Sequence, residues 1–266
     1  MNKSANFLKG IYKQRHLIVF MAKREFIARY MGTLGGSMWA ILNPLITVVV
    51  FYFVFSLGFK VSGPGNQSFL LYFVCGLIPW LMFNEVINAS TNGIRNNLSL
   101  IKKTVFPSEI LPFVYILSFS ISHLVFFIIT IILLMVYNIL PSIYIFQIFF
   151  YYLCLIFLMT GMCWILSALN VFHRDVGQGV PIVLNILFWM TPLIWSVEMV
   201  PERYKWIYMV NPLAYIIEGY RKSLLYQTPV WDDINSIIYF IIFSSIVFII
   251  GAMVFHKFKM EFADAL

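Results

Sequence analysis

Charged residues are scarce in this sequence. Asp, Glu, Lys and Arg make up 11% of its 266 residues, where a soluble domain carries about 25%. With 61% hydrophobic residues and a mean hydropathy of +0.88, the chain holds more apolar surface than a soluble core can hide. The class is integral membrane protein. Cysteine is scarce as well. Cys75, Cys154 and Cys163 all lie in apolar runs, an odd set that reads as small hydrophobes and not as a disulfide framework. No G-x-x-x-x-G-K-[ST] loop occurs, so the chain has no ATP site of the usual kind, and neither H-E-x-x-H nor C-x-x-C is present. The four histidines, His16, His123, His173 and His256, are scattered. No metal site is expected, and His123, deep in an apolar run, reads as a helix–helix hydrogen-bonding group. The first apolar run, Leu17 to Ala22, is too short for the core of a signal peptide.

What charge there is marks boundaries. None falls between Arg29 and Lys60, or between Lys60 and Glu85. From Ile110 to His173 there are 64 residues without a formal charge. At 1.5 Å per residue that is roughly three bilayer thicknesses, so the run must fold back. The stretch NILPS, Asn138 to Ser142, supplies the turn residues. Two more gaps run from Val176 to Val197 and from Ile234 to His256. The expectation is an all-α polytopic protein with six spans near 36–58, 69–91, 111–137, 144–170, 177–197 and 234–256, since a helix satisfies its own backbone in lipid. One membrane domain, 1–266, is expected, with a cytoplasmic interface helix at 1–33, a six-helix unit at 34–256 and a cytoplasmic tail at 257–266. Thirteen Lys and Arg fall on the side of the termini and five on the other. The positive-inside rule then puts both ends in the cytoplasm. The net charge of +7 belongs to this bias and points to no nucleic acid.

Three segments are more than simple spans or turns. The arm from Phe7 to Tyr30 mixes charge with Ile, Phe, Leu and Met; it reads as a helix lying in the membrane interface, or as a basic tail that only sets topology. The loop GIRNNLSLIKKTVFPSEILP, Gly93 to Pro112, holds a short helix near Ile94 to Val105, either a docking element for a soluble partner or a connector. Between spans five and six, Asn211 caps a helix with Pro212 in its first turn. Leu213, Ile216, Ile217, Tyr220 and Leu224 share one face, and Glu218 and Lys222 are spaced as an i,i+4 pair. This unit reads as a lid of two short amphipathic helices, or as a peripheral hairpin.

Catalytic constellations are missing. Glu85 stands near the inner end of span two, where an acid is costly unless it meets water, a cation or a pathway. The spans lack serial carboxylates, which argues against an ion or proton pump. Aromatics are abundant instead, with 27 Phe, 15 Tyr and 7 Trp. Trp39, Tyr52, Trp80, Trp164, Trp189 and Trp195 are either interface anchors or the lining of a conduit in which flat rings stack on sugars.

Six motifs, in order along the chain, carry a resemblance. They are KREFIARYMGTLGGSMWAILNPL (Lys23 to Leu45), GLIPWLMF (Gly76 to Phe83), LIKKTVFPSEILP (Leu100 to Pro112), LNVFHRDVGQ (Leu169 to Gln178), LFWMTPLIW (Leu187 to Trp195) and NPLAYIIEGYR (Asn211 to Arg221). The chain resembles the membrane subunit of ABC-2 type exporters of lipid-linked polysaccharides, the O-antigen exporters and their wall teichoic acid relatives. The ending EFADAL is similar to the teichoic acid branch, and NVFHRDVGQ to the O-antigen branch. The resemblance implies a homodimer in the bacterial inner membrane, joined to two copies of a cytoplasmic ATPase that binds ATP and Mg; no cofactor is expected in this chain. It implies a polyprenyl-diphosphate-linked glycan as substrate, with a small-lipid or drug exporter as the alternative. It implies a substrate entrance at Arg24, Arg29, Leu34 and Gly35 and a channel lined by Trp39, Tyr52, Trp80, Phe83, Trp189 and Trp195. ATPase coupling falls to Arg95, Lys102, Lys103, Arg174 and Asp175, with the Arg174–Asp175 pair holding the second loop against the first. An exit gate falls to Tyr204, Tyr215 and Tyr220. Gly32, Gly35 and Gly36 suit a bend at the entrance, and arginines suit phosphate oxygens.

Overall fold

A computed structural model describes residues 10, 12–61, 63–64, 67–103 and 106–262. The expected start of the arm at Phe7, the end of the docking helix at Val105 and the EFADAL tail beyond Phe262 lie outside these residues, as does the side chain of Lys103.

The described chain is a bundle of helices. The arm is helix α1, Arg15–Tyr30. A glycine turn leads to α2, Gly36–Gly58, which begins with a tight turn and ends in a π-helical stretch, Tyr52–Gly58. Helix α3, Phe69–Thr91, runs back, followed by the short α4, Gly93–Asn96, and α5, Leu98–Lys103. Helix α6, Ser108–Val136, and α7, Ile143–Phe172, form the long charge-free hairpin. Asn138 turns it in the left-handed region (φ 61°), a conformation that Asn accepts better than most residues. Then come α8, Asp175–Met190, the small α9, Trp206–Met209, and α10, Pro212–Arg221. The last helix is α11, Val230–Phe258.

Five of these, α2, α3, α6, α7 and α11, are long and apolar enough to cross a membrane. The sixth expected span is shorter than its apolar run. Pro192 has no backbone donor and pushes Thr191 into extended geometry (ψ 139°), so α8 stops at Met190. Its 16 residues reach about 24 Å, short of a hydrocarbon core of about 30 Å. Residues 191–196 complete the run as irregular chain, with Thr191, Leu193 and Ser196 buried.

Helix α3 is the axis: 83% of its central stretch is buried against its neighbours, compared with 6% for α2. Lipid is as apolar as a leucine side chain, so packing and hydrogen bonds must hold such helices together. Small residues permit the closest approach. A Cβ on Gly251 would stand 2.4 Å from the carbonyl oxygen of Gly161, and one on Gly161 would stand 2.8 Å from the backbone of Phe248. This contact locks α7 to α11, and Phe157 stacks on Phe248 beside it at 4.7 Å. Beyond the end of α11, Lys259 pairs with Glu109 at 2.6 Å, and Phe262 packs on Phe255 and Phe172.

Overpacking a tight contact costs about 1–3 kcal/mol. Gly251→Leu is therefore expected to lower the thermal midpoint of the detergent-solubilised protein by several degrees. Gly179→Ala, on the open face of α8 where nothing lies within 4 Å, leaves it unchanged.

Candidate substrate entrance and exit cap

The expected entrance residues sit on α1 and on the turn between α1 and α2. Gly32 (φ 82°) and Gly36 (φ 48°) hold backbone geometry that other residues resist, so the chain reverses within a few residues. Leu34 projects fully into the surroundings. Gly35 is required for a second reason: the indole of Trp39 folds over it, and a Cβ there would meet Trp39 Nε1 at 2.8 Å. The arginines are partly committed. Arg24 Nη2 donates to Asn97 Oδ1 at 3.5 Å. Arg29 lies flat on the Phe119 ring, its Cζ 3.4 Å from the centroid, and donates from Nη2 to Ser118 at 3.0 Å. Its Nη1 is buried with no acceptor.

Beside this turn a cleft of about 80 Å³ opens between α2, α3 and α6. Tyr30, Trp39, Asn43 and Thr47 form one wall, and Glu85, Ser122 and His123 bring polar groups to the others. His123 Nε2 also bonds the Tyr220 hydroxyl of α10 at 3.0 Å, a helix–helix link of the kind expected.

The expected lining aromatics divide. Trp39 and Trp189 are exposed on the bundle's outside, at 39% and 56%. Tyr52 and Trp195 are half-buried, and Trp195 Nε1 donates to the carbonyl of Trp189 at 2.9 Å. Trp80 and Phe83 differ from the expectation. They are buried inside the bundle, Trp80 against Phe188 (5.5 Å) and Phe83 (6.2 Å), because they point from α3, which is surrounded on nearly all sides.

The residues expected to couple to an ATPase lie in the loops that follow α3 and α7. The expected docking helix is broken at Asn97 into α4 and α5. Arg95 is half-buried and Lys102 exposed. Arg174 and Asp175 are exposed and make no ion pair among the described residues; Asp175 sits in the first turn of α8, where an acid suits the helix dipole. The tie between the two loops is made by Asn170 instead. Its Nδ2 donates to the Thr91 carbonyl (2.9 Å) and to Asn92 Oδ1 (3.1 Å), and its Oδ1 accepts from Gly177 N (2.9 Å). Gly177 leaves room for it: a Cβ there would be 2.8 Å from Asn170 Oδ1.

The opposite end is capped by α9 and α10. Asn211 Oδ1 caps α10 through Leu213 N (3.0 Å), and its Nδ2 donates to Thr191 Oγ1 (2.8 Å). The stripe Leu213, Ile216, Ile217, Tyr220 and Leu224 is buried, as its spacing predicts. Tyr204 is exposed, Tyr215 packs between Tyr151 (5.6 Å) and Phe240 (5.0 Å), and Tyr220 is fully buried. Glu218 pairs with Arg221 at 3.4 Å, i to i+3, in place of Lys222. In the exposed part of the cap Lys205 bonds Glu202, which pushes its pKa up.

Arg221 is the residue the sequence reading missed. It is completely buried. Its Nε donates to the Tyr72 carbonyl (3.1 Å), its Nη2 to the Leu193 carbonyl (3.2 Å), and its Cζ lies 3.5 Å over the Tyr72 ring. Gly76 admits it: a Cβ there would meet Nη2 at 2.8 Å. The Tyr72 hydroxyl then donates to the Trp195 carbonyl at 3.0 Å. The Leu193 and Trp195 carbonyls of the irregular chain after α8 are thus satisfied from within, as such chain inside a membrane requires. The signal was available, since Arg221 follows Ile217 by four and precedes Leu224 by three.

Residues 16–225 match the ABC-2 type transporter family. The chain belongs to that family. Among its relatives, two O-antigen export system permease proteins of Klebsiella pneumoniae are 30% and 31% identical over 94% of this chain and 95% of theirs. An O-antigen export system permease protein of Myxococcus xanthus is 22% identical over 97% of this chain. A polysialic acid transport protein of Escherichia coli is 23% identical over 81%.

Removing a buried partner leaves carbonyls unsatisfied, at about 1–3 kcal/mol each. Arg221→Ala is expected to cost the folded membrane protein several kcal/mol, read as loss of detergent-stable protein in size-exclusion chromatography. Arg221→Lys fails to restore it, because one ammonium cannot reproduce a planar fork that spans two carbonyls and stacks on Tyr72.

Proposed function

We propose that this chain is the membrane subunit of an exporter that moves a polyprenyl-diphosphate-linked polysaccharide, of the O-antigen type ahead of wall teichoic acid, across the bacterial inner membrane. The observation that carries the reading is the near end-to-end similarity to O-antigen export permeases, 94% of this chain against 95% of the relative. Two copies act together, with two copies of a cytoplasmic subunit that binds and hydrolyses ATP with Mg. Both termini face the cytoplasm, consistent with thirteen of the eighteen Lys and Arg on that side.

The substrate changes from sugar to diphosphate to hydrocarbon along its length. The stretch Arg29 to Pro44 has the same order: guanidinium, glycine turn, aromatic and apolar wall. The diphosphate passes Arg24 and Arg29, where Arg29 Nη1 has a donor to spare, while Leu34 and Gly35 form the lip. Exposed Trp39 and Trp189, with Tyr52 and Trp195 behind them, offer ring faces to sugars. Nucleotide-driven closure of the ATPase pulls on α4 and α5. Asn170 supports this role, since it joins Thr91 and Asn92 to the start of α8 and passes the pull to the helix that bears Trp189. Parting of α2 and α8 across the seam between two copies then opens the path, and the exposed part of the cap, with Tyr204, moves off the exit.

The direct test is a strain depleted of this chain. Full-length lipid-linked glycan is expected to collect on the cytoplasmic face, with none at the surface; normal surface glycan sinks the reading in favour of a small-lipid or drug substrate. In the purified assembly, Asn170→Asp loses the amide donor while keeping size and shape. It is expected to retain ATP hydrolysis while export into vesicles falls at least tenfold, the factor that about 1.4 kcal/mol of coupling represents.

A further inference from the structure

Polar side chains inside the spans are mostly spent. Thr91, Thr130, Thr160 and Ser244 donate to carbonyls one turn back on their own helices, and Ser120 bonds both the Ile116 carbonyl and the Tyr152 hydroxyl. The cleft between α2, α3 and α6 is different. Glu85 opens into it with no hydrogen bond or ion pair to any described residue. The Asn43 side chain is exposed beside it with none either, and the Ser122 hydroxyl is buried with no partner. An exposed carboxylate and an exposed amide thus stand at the mouth of one cleft in an apolar wall, with a buried, unpartnered hydroxyl behind them, and polar groups so placed on a span are the usual mark of a ligand or pathway. The flat indole of Trp39 borders the same cleft, pinned over Gly35.

We propose that this cleft is a sugar-binding subsite, at which Glu85 and Asn43 take hydroxyl groups of one pyranose ring while Trp39 covers its C–H face. The chemistry is that of a carbohydrate. A ring with hydroxyls along its edge and an apolar face needs acceptors on one side and an aromatic plane on the other. A phosphate is excluded as the group seated there, because the carboxylate of Glu85 would repel it; phosphate belongs at Arg29, on the turn side of the cleft. The inference rests on the proposed substrate class and adds which part of that substrate is read within the membrane: the sugar next to the diphosphate.

The test compares two probes on the full assembly in nanodiscs: undecaprenyl diphosphate bare, and the same lipid carrying one hexose. Wild type is expected to bind the hexosyl lipid at least tenfold more tightly, which is one charge-assisted hydrogen bond of about 1.4 kcal/mol. Glu85→Gln and Asn43→Ala each shrink that preference several-fold or more, while their binding of the bare lipid reports that the protein is folded. Equal binding of the two probes by wild type overturns the subsite and leaves diphosphate recognition standing. A preference that persists in both variants overturns it also, and marks the cleft as a water-filled gap. Failure of wild type to bind either lipid overturns the substrate class itself, and the subsite with it.

Discussion

A single buried guanidinium organises the far half of this protein. Arg221 is completely buried, and one carboxylate, that of Glu218, pairs with its Nη1 at 3.4 Å. Burying such a charge is costly unless donors and acceptors close around it. Here they close on the backbone. The carbonyls of Tyr72 and Leu193 take two donors, and a tyrosine ring takes the face of the cation. This explains three features at once: α8 can end early, α3 must carry glycine at position 76, and α10 lies flat against the bundle. Without the guanidinium, the Leu193 carbonyl would lose its partner in irregular chain inside the membrane.

The near half is held by weaker and more numerous means. Helices α7 and α11 meet where glycine removes the side chain, at Gly161 and Gly251. The Asn170 amide crosses between the two loops, and the Asn97 amide joins the first of them to α1 through Arg24. Individually these bonds are worth on the order of 1 kcal/mol in a membrane protein. The two loops that would meet a soluble partner are therefore joined by bonds that are specific but can be remade, whereas the cap's anchor is a fork that cannot slip without exposing two carbonyls.

The segments with polar contrast were legible in the sequence. The amphipathic stripe of α10 announced its buried face, Asn211 and Pro212 announced its start, and the turn at Asn138 was marked by its residues. Spans with apolar residues on every side gave no such contrast. Trp80 and Trp39 look alike along the chain, yet one is enclosed by neighbours and the other is bare, and only the placement of α3 and α2 separates them. The extent of α8 was overread because apolar continuity was taken as helix across Pro192. Arg221 was overlooked because a charge in an external segment was assigned to solvent, although its position on the stripe put it inside. The broken docking helix turns on Asn97, whose side chain bonds the carbonyl of Gly93 and interrupts the helix from within.

His123 gives the molecule one more property. One nitrogen of its ring is engaged by Tyr220 of the cap, and the ring is also part of the wall of the cleft beside the opposite mouth. The imidazole therefore touches both the buried face of α10 and the cleft between α2, α3 and α6. A rearrangement that withdraws Tyr220 leaves a hydrogen-bonding nitrogen without its partner at the edge of that cleft.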